Sequence, residues 1–184
     1  MLDVGCGTGD LGRLAPPGGC VVYGVDGDPA VIEVAKAYER ATVCQLDSAR
    51  LPFEDTFFDG AVAKDVIEHV AVPANLAMEI HRVLRPGARL VVSVPMPKPS
   101  VVWNDYTHVR GFTRFAIRQL LEDFGFRVLQ ISRMGSVPGA GRFGFLDWTP
   151  TLLRLPGLSG LARSFEVVAE RLSPLPSTSA VSPS

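Results

Sequence analysis

The sequence predicts a doubly wound α/β fold, a mostly parallel sheet of six or seven strands with helices between them. Short apolar, valine-rich runs alternate with helical patterns along the first 135 or so residues, which is the pattern of a parallel sheet. The first of these runs opens directly into a glycine loop, as a strand does when it delivers the chain to the mouth of a helix. At 184 residues and 47% hydrophobic content, the chain can bury one full sheet and is too short for a second large domain.

The first strand and its loop read Leu2-Asp3-Val4-Gly5-Cys6-Gly7-Thr8-Gly9-Asp10-Leu11-Gly12. Two ligand classes use such a loop, phosphate-bearing dinucleotides and S-adenosylmethionine. A dinucleotide fingerprint, G-x-G-x-x-G, counted from Gly5 and Gly7 needs glycine at position 10, where the chain has Asp10; Gly9 comes one residue early. Asp3, two residues before the first glycine, would repel a pyrophosphate and attract a cationic amino group such as that of methionine. A plain glycine-rich turn is the simpler alternative.

Cys20 to Val25 predicts the second strand, ending at Asp26-Gly27-Asp28-Pro29. Asp28 suits an N-cap and Pro29 the first position of a helix over 29–40. Asp26, at the carboxyl end of the strand, is placed to accept hydrogen bonds from both hydroxyls of a ribose. Ala41 to Leu46, Phe58 to Ala63 and Arg89 to Val94 follow as strands. A helix from Pro73 sets Leu76, Ile80, Val83 and Leu84 on one face and stops at Arg85-Pro86-Gly87. Another runs from Thr113 as N-cap to Gly125 as stop, burying Ile117, Leu120, Leu121 and Phe124. Phe126 to Ser132 and Ser164 to Arg171 complete the strands.

A net charge of -1 with no basic run excludes an electrostatic footprint for duplex nucleic acid and favours a small-molecule partner. Cys6, Cys20 and Cys44 are odd in number and lack metal-ligand spacing, so they read as buried thiols of a reducing cytosol. With no signal peptide and no apolar stretch near the roughly 20 residues of a membrane span, the expected location is cytoplasmic.

Leu2 to Gly9, Val22-Tyr23-Gly24-Val25-Asp26, Gln45-Leu46-Asp47-Ser48, Leu51-Pro52-Phe53, Phe57-Phe58-Asp59, Ile67-Glu68-His69-Val70 and Leu84-Arg85-Pro86-Gly87 occur in that order. The set resembles the class I S-adenosylmethionine-dependent methyltransferases, in the type 11 and quinone-biosynthesis-like group. It covers about the first 95 residues closely and reaches residue 133 more loosely. The resemblance implies a Rossmann-like core over 1–134, S-adenosylmethionine as cofactor, and methyl transfer to a small-molecule acceptor by in-line attack on the sulfonium methyl. A non-catalytic cofactor-binding or scaffold protein of the same fold is the alternative, and an NAD-dependent oxidoreductase is disfavoured by Asp3 and Asp10.

By the resemblance, Asp3, Gly5, Cys6, Gly7 and Gly9 hold the methionine end, and Asp26 with Gly27 takes the ribose. Asp47 accepts from the adenine amino group, Ser48 offers its N–H to the ring, and Lys64 lines the pocket where relatives carry a small residue. His69 and His108 are the candidates for removing a proton from a hydroxyl acceptor. No metal is expected: Asp65, Glu68 and His69 could hold a divalent ion, but a structural hydrogen-bonded turn at Glu68-His69 is the favoured reading. The segment from Trp103 to Arg110 brings an indole, a phenol, an imidazole and an acid to the place where relatives shape the acceptor pocket, or else fixes the loop onto the next helix.

Residues 135–172 form an apolar extension expected to complete the sheet or the acceptor pocket, with peripheral membrane contact left open. Residues 173–184 are expected to be a disordered tail. Relatives place helices before the first strand, and the sequence lacks them. The expectation is therefore a more open site, or cover supplied by the apolar extension or by a second subunit in a homodimer.

Overall fold

The computed structural model describes residues 1–16, 18–47, 50–135 and 162–172. The chain runs β1 (Leu2–Val4), α1 (Asp10–Leu14), β2 (Tyr23–Asp26), α2 (Pro29–Ala35), β3 (Thr42–Val43) and β4 (Phe58–Lys64). A single 3-10 turn (Ile67–His69) leads to α3 (Pro73–Val83), β5 (Leu84–Pro95), α4 (Pro99–Val102), α5 (Arg114–Asp123), β6 (Phe126–Gly135) and β7 (Ala162–Arg171). The seven strands form one sheet in the order β3-β2-β1-β4-β5-β7-β6. All neighbours pair in parallel except β7, which is antiparallel to both β5 and β6. This is the Rossmann-like, mostly parallel sheet that the alternation of elements predicts. Strand order reverses between β1 and β4, and in open α/β sheets ligands collect at the carboxyl ends of the strands at such a switch point.

Leu2 and Val4 are fully buried in the main core with Ala61, Ala63, Leu90 and Val92 of the central strands and Ile80 and Ile117 of α3 and α5. Side chains alternate across a strand, so Asp3 between them faces the other side of the sheet. A smaller cluster of Cys6, Ile32 and Ala35 packs α2 under the glycine loop. Asp28 caps α2 by accepting from Ala30 N–H at 2.8 Å, and Thr113 caps α5 by accepting from Ala116 N–H at 3.1 Å, as their side chains predict.

Several boundaries differ from expectation, each for a pairing reason. β2 begins at Tyr23 rather than Cys20 because its partner β1 begins at Leu2, opposite Tyr23. Cys20 therefore lies outside the sheet and is exposed, whereas Cys6 and Cys44 are buried as expected. β3 keeps two residues because its one neighbour, β2, ends at Asp26. Arg85-Pro86-Gly87 does not separate α3 from a later strand: β5 starts at Leu84 and the register jumps from Phe58↔Leu84 to Gly60↔Arg89, so these residues bulge out within it. Among the described residues no helix is long and apolar enough to cross a membrane. The apolar residues 143–158 and the tail 173–184 lie outside the described residues.

Candidate functional site

The glycine loop is built by three left-handed residues, Gly5 (φ 68), Gly7 (φ 51) and Gly9 (φ 84). A Cβ on Gly5 would stand 2.6 Å from Val66 Cγ2 and one on Gly9 would stand 3.0 Å from the Ala35 Cα, so these two let the loop sit against the segment that follows β4 and against α2. A Cβ on Gly7 would meet nothing within 4 Å, which leaves open space over the loop. Gly5 and Cys6 donate their N–H groups to the Val25 carbonyl at 2.8 and 3.0 Å, tying the loop to β2.

Asp26, at the end of β2, accepts from Gly7 N–H through Oδ2 and from Asp28 N–H through Oδ1, each at 3.0 Å. These bonds orient the carboxylate while each oxygen keeps a lone pair for a further donor. Asp47 accepts from Ala71 N–H, and Gln45 Nε2 donates to the Gly27 carbonyl at 3.0 Å. Together Gly5, Asp26, Gly27, Asp47, Asp65 and His69 line a cavity of about 340 Å³ at the switch point.

The predicted cofactor residues thus divide. Gly5, Asp26, Gly27 and Asp47 line the cavity. Asp3 and Cys6 do not; each is 6% exposed beneath the loop, because strand alternation and the turn at Gly5 send them inward. Burial, followed by the charges of Glu39, Asp3 and Asp26, pushes the Cys6 thiol up to about 12, so it is no nucleophile. Lys64 lines a neighbouring cavity with Asp65, Ser93, Met134 and Glu166, and its charge acts on Asp3 from the side. Ser48 lies outside the described residues.

The sequence offers Asp65 as a metal ligand or as a partner for Lys64, not as a residue of the cofactor site. Its φ of 52 is unusual for a residue with a side chain, although aspartate tolerates it. Ser93 Oγ donates to its Oδ1 at 2.8 Å, and it borders the cofactor cavity, the Lys64 cavity and a third cavity of about 490 Å³. That third cavity is lined by Glu68, His69, Asp105 and His108 among others.

The structure brings His69 and His108 together, with ring centroids 4.6 Å apart. His108 Nδ1 lies 2.5 Å from the Val102 carbonyl, which only accepts, so Nδ1 carries the proton. Thr107 Oγ1 donates to Asp105 Oδ1 at 2.6 Å and lies 3.0 Å from His69 Nδ1. A hydroxyl has one proton to give, so His69 Nδ1 must be the donor to Thr107. In the neutral form of each ring, this tautomer holds the lone pair at Nε2. Hydrogen bonds from the Thr107 hydroxyl and N–H hold Asp105 below the usual carboxylate range, which keeps it an acceptor. Trp103 and Tyr106 are 60% and 97% exposed and do not enter the cavity with Asp105 and His108.

The Glu68-His69 turn is hydrogen-bonded through its main chain: His69 N–H donates to Val66 and Val109 N–H to Glu68. The Glu68 carboxylate differs from that expectation. It is fully buried, no donor among the described residues reaches either oxygen, and His108 Nε2 is 4.0 Å away. Burial pushes it up to about 7, with the charges of Asp65 and Asp105 adding to the effect. One donor atom from each of Glu68, His69 and His108 falls within 4.8 Å of the others, the spacing a divalent cation would use. The bonds to Val102 and Thr107 already occupy one nitrogen of each ring.

A Rossmann-like sheet with an acid-bearing glycine loop and a carboxylate after the second strand defines a nucleoside-cofactor fold. The chain belongs to the class I S-adenosylmethionine-dependent methyltransferases: residues 2–92 match the methyltransferase domain family. It is 32% identical over 148 residues to O-methyltransferase resE of Aspergillus sclerotiorum, covering 72% of this chain and 56% of that protein. It is 39% identical over 103 residues to a demethylmenaquinone methyltransferase of Symbiobacterium thermophilum, covering 50% and 40%. A SAM-dependent methyltransferase of Archaeoglobus fulgidus shares the fold with a TM-score of 0.73 at 18% identity, covering 92% of this chain and 85% of that one. The chain spans about half the length of the curated relatives it matches. S-adenosylmethionine is the family's cofactor, and the open space at Gly7 with the oriented Asp26 carboxylate suits its methionine and ribose parts.

Proposed function

We propose that this protein moves a methyl group from S-adenosylmethionine onto a small molecule that presents a hydroxyl. The observation that carries the reading is His69, which borders both the cofactor cavity and the cavity shared with His108, with its Nε2 free to take a proton. The similarity to an O-methyltransferase and to a demethylmenaquinone methyltransferase supports a small-molecule acceptor of this kind.

When bound, S-adenosylmethionine supplies a methyl carbon already activated on a sulfonium. The chain then has to orient and deprotonate. Gly5, Gly7 and Gly9 shape the loop over the methionine end, and Asp26 takes the ribose hydroxyls on the lone pairs left by Gly7 and Asp28. Asp47 keeps its second oxygen for the adenine amino group while the first holds Ala71. His69 removes the acceptor proton at Nε2; His108 and Asp105 surround the imidazolium that forms.

Incubation with S-adenosylmethionine and a panel of phenols and hydroquinones, with S-adenosylhomocysteine as the measured product, tests this. His69→Ala should lower kcat by about 10²–10⁴-fold while the affinity for S-adenosylhomocysteine is kept. Loss of less than twofold would remove His69 from the chemistry. Tight binding of S-adenosylhomocysteine with no turnover on any acceptor would favour a non-catalytic cofactor-binding protein.

A further inference from the structure

The third cavity gathers hydrogen-bond acceptors that face one another with no donor between them. Both oxygens of Glu68 are buried and meet no donor among the described residues. Glu68 Oε1 and Asp105 Oδ2 each stand 4.0 Å from His108 Nε2, too far for a hydrogen bond and near enough for one atom to bridge. One ligating atom from each of Glu68, His69 and His108 lies within 4.8 Å of the others. Lone pairs brought together in this way repel unless a positive charge stands among them. Asp65, the other acid that the sequence offers to a metal, is outside this cluster and takes the Ser93 hydroxyl at 2.8 Å.

The surroundings of the two rings suit a metal. A ligating histidine is held through its other N–H by a carbonyl or by a chain that ends on a carboxylate. His108 Nδ1 rests on the Val102 carbonyl at 2.5 Å. His69 Nδ1 lies 3.0 Å from the Thr107 hydroxyl, which donates on to Asp105 at 2.6 Å. Each ring is thus fixed with Nε2 left to bind. The main chain seats the ligands together, because Val109 N–H donates to the Glu68 carbonyl at 3.0 Å and ties the His108 loop to the turn of Glu68 and His69. Two imidazoles and a carboxylate select zinc, whereas magnesium and calcium take oxygen ligands. The cavity of about 490 Å³ beside them has room for a water as the fourth ligand.

We propose that Glu68, His69 and His108 bind a zinc ion that inhibits methyl transfer by holding the His69 nitrogen that takes the acceptor proton. The ion is an inhibitor and not a resident cofactor, so the reaction itself stays metal-free. The site stands on the three residues alone; the inhibition rests on the reading of His69 as the base. As the ion enters, bonds form from the two Nε2 lone pairs and from a Glu68 oxygen to zinc, and any proton on these atoms passes to solvent. A chelator reverses the step.

Titration of the chelator-treated chain with Co²⁺, a spectroscopic substitute for zinc, tests the site without any acceptor. The visible band of four-coordinate cobalt should saturate at about one equivalent and disappear when zinc replaces it. Glu68→Gln should weaken the binding of both ions at least about tenfold. Should that variant fail to fold, His108→Ala provides the same comparison. Turnover with S-adenosylmethionine, read with and without zinc, should fall in the wild type, recover on chelation, and need correspondingly more zinc to fall in the variant. A wild-type chain with no cobalt band, or a folded variant with an undiminished one, would overturn the site. Zinc-loaded protein that turns over as fast as the metal-free chain, or faster, would overturn the inhibition. Cobalt binding with no turnover on any acceptor would uphold the site while overturning the methyl-transfer reading and the inhibition with it.

Discussion

At the scale of single residues, the buried acids set the behaviour of the site. Glu68 is fully buried and raised to about 7, above the usual range of a glutamate in an unfolded chain. A folded value above the unfolded one means that the folded chain binds the proton more tightly. The stability this lends is complete below about pH 4.5 and is lost as pH rises through 7. Glu68→Gln, which stays neutral, should therefore be about as stable as the wild type at pH 4.5 and more stable by about 2 to 4 kcal/mol at pH 8. Denaturant unfolding at the two pH values checks this, and a difference that does not grow with pH would contradict it. The sequence makes Asp26 legible, because an acid at the end of the second strand has a place in the fold. It hides Glu39, which lies buried behind the glycine loop on the Gly12 N–H and in the space beside Gly24, since nothing in the spacing of residues 12, 24 and 39 shows that they converge. It also does not show that Asp65 stands between the cavities, because that depends on its left-handed backbone.

At the scale of elements, the glycine loop does two separable things. Gly5 and Gly9 make room for Val66 and Ala35, whereas Gly7 opens onto empty space. Gly5→Ala should cost about 2 to 4 kcal/mol of stability from a clash with Val66 added to left-handed strain. Gly7→Ala should cost only about 1 kcal/mol, the strain alone, while impairing binding of S-adenosylhomocysteine. Denaturation midpoints and ligand titrations of the two variants read the contrast; equal destabilisation would refute it. The helix bracketed by Thr113 as cap and Gly125 as stop is legible, whereas α2, capped at Asp28 but with no stop residue after it, ends at Ala35 and not at Arg40. The start of β5 was not, because Pro86-Gly87 reads as a terminator, and only pairing with β4 turns it into a bulge.

At the scale of the whole molecule, the sheet order puts the carboxyl ends of β1, β2 and β4 around one crevice, and β7 enters antiparallel between β5 and β6. The alternation of elements makes the first part legible. The placement of β7 depends on pairing between residues about 80 apart, as in Leu90↔Ala169, which no local pattern reports. A ligand held in this crevice stabilises the folded chain: S-adenosylhomocysteine at 100 times its dissociation constant should add about 2.7 kcal/mol. Asp26→Ala should weaken its binding by about 1 to 3 kcal/mol, and should also lower the stability of the free chain because Gly7 and Asp28 lose their acceptor. Thermal unfolding with and without ligand measures both effects. The most direct test of the account is a crystal structure with S-adenosylhomocysteine bound. The ribose hydroxyls should lie on Asp26, the adenine beside Asp47 and the sulfur facing the His69 cavity; a ligand whose ribose avoids Asp26, or whose sulfur points away from His69, would contradict it.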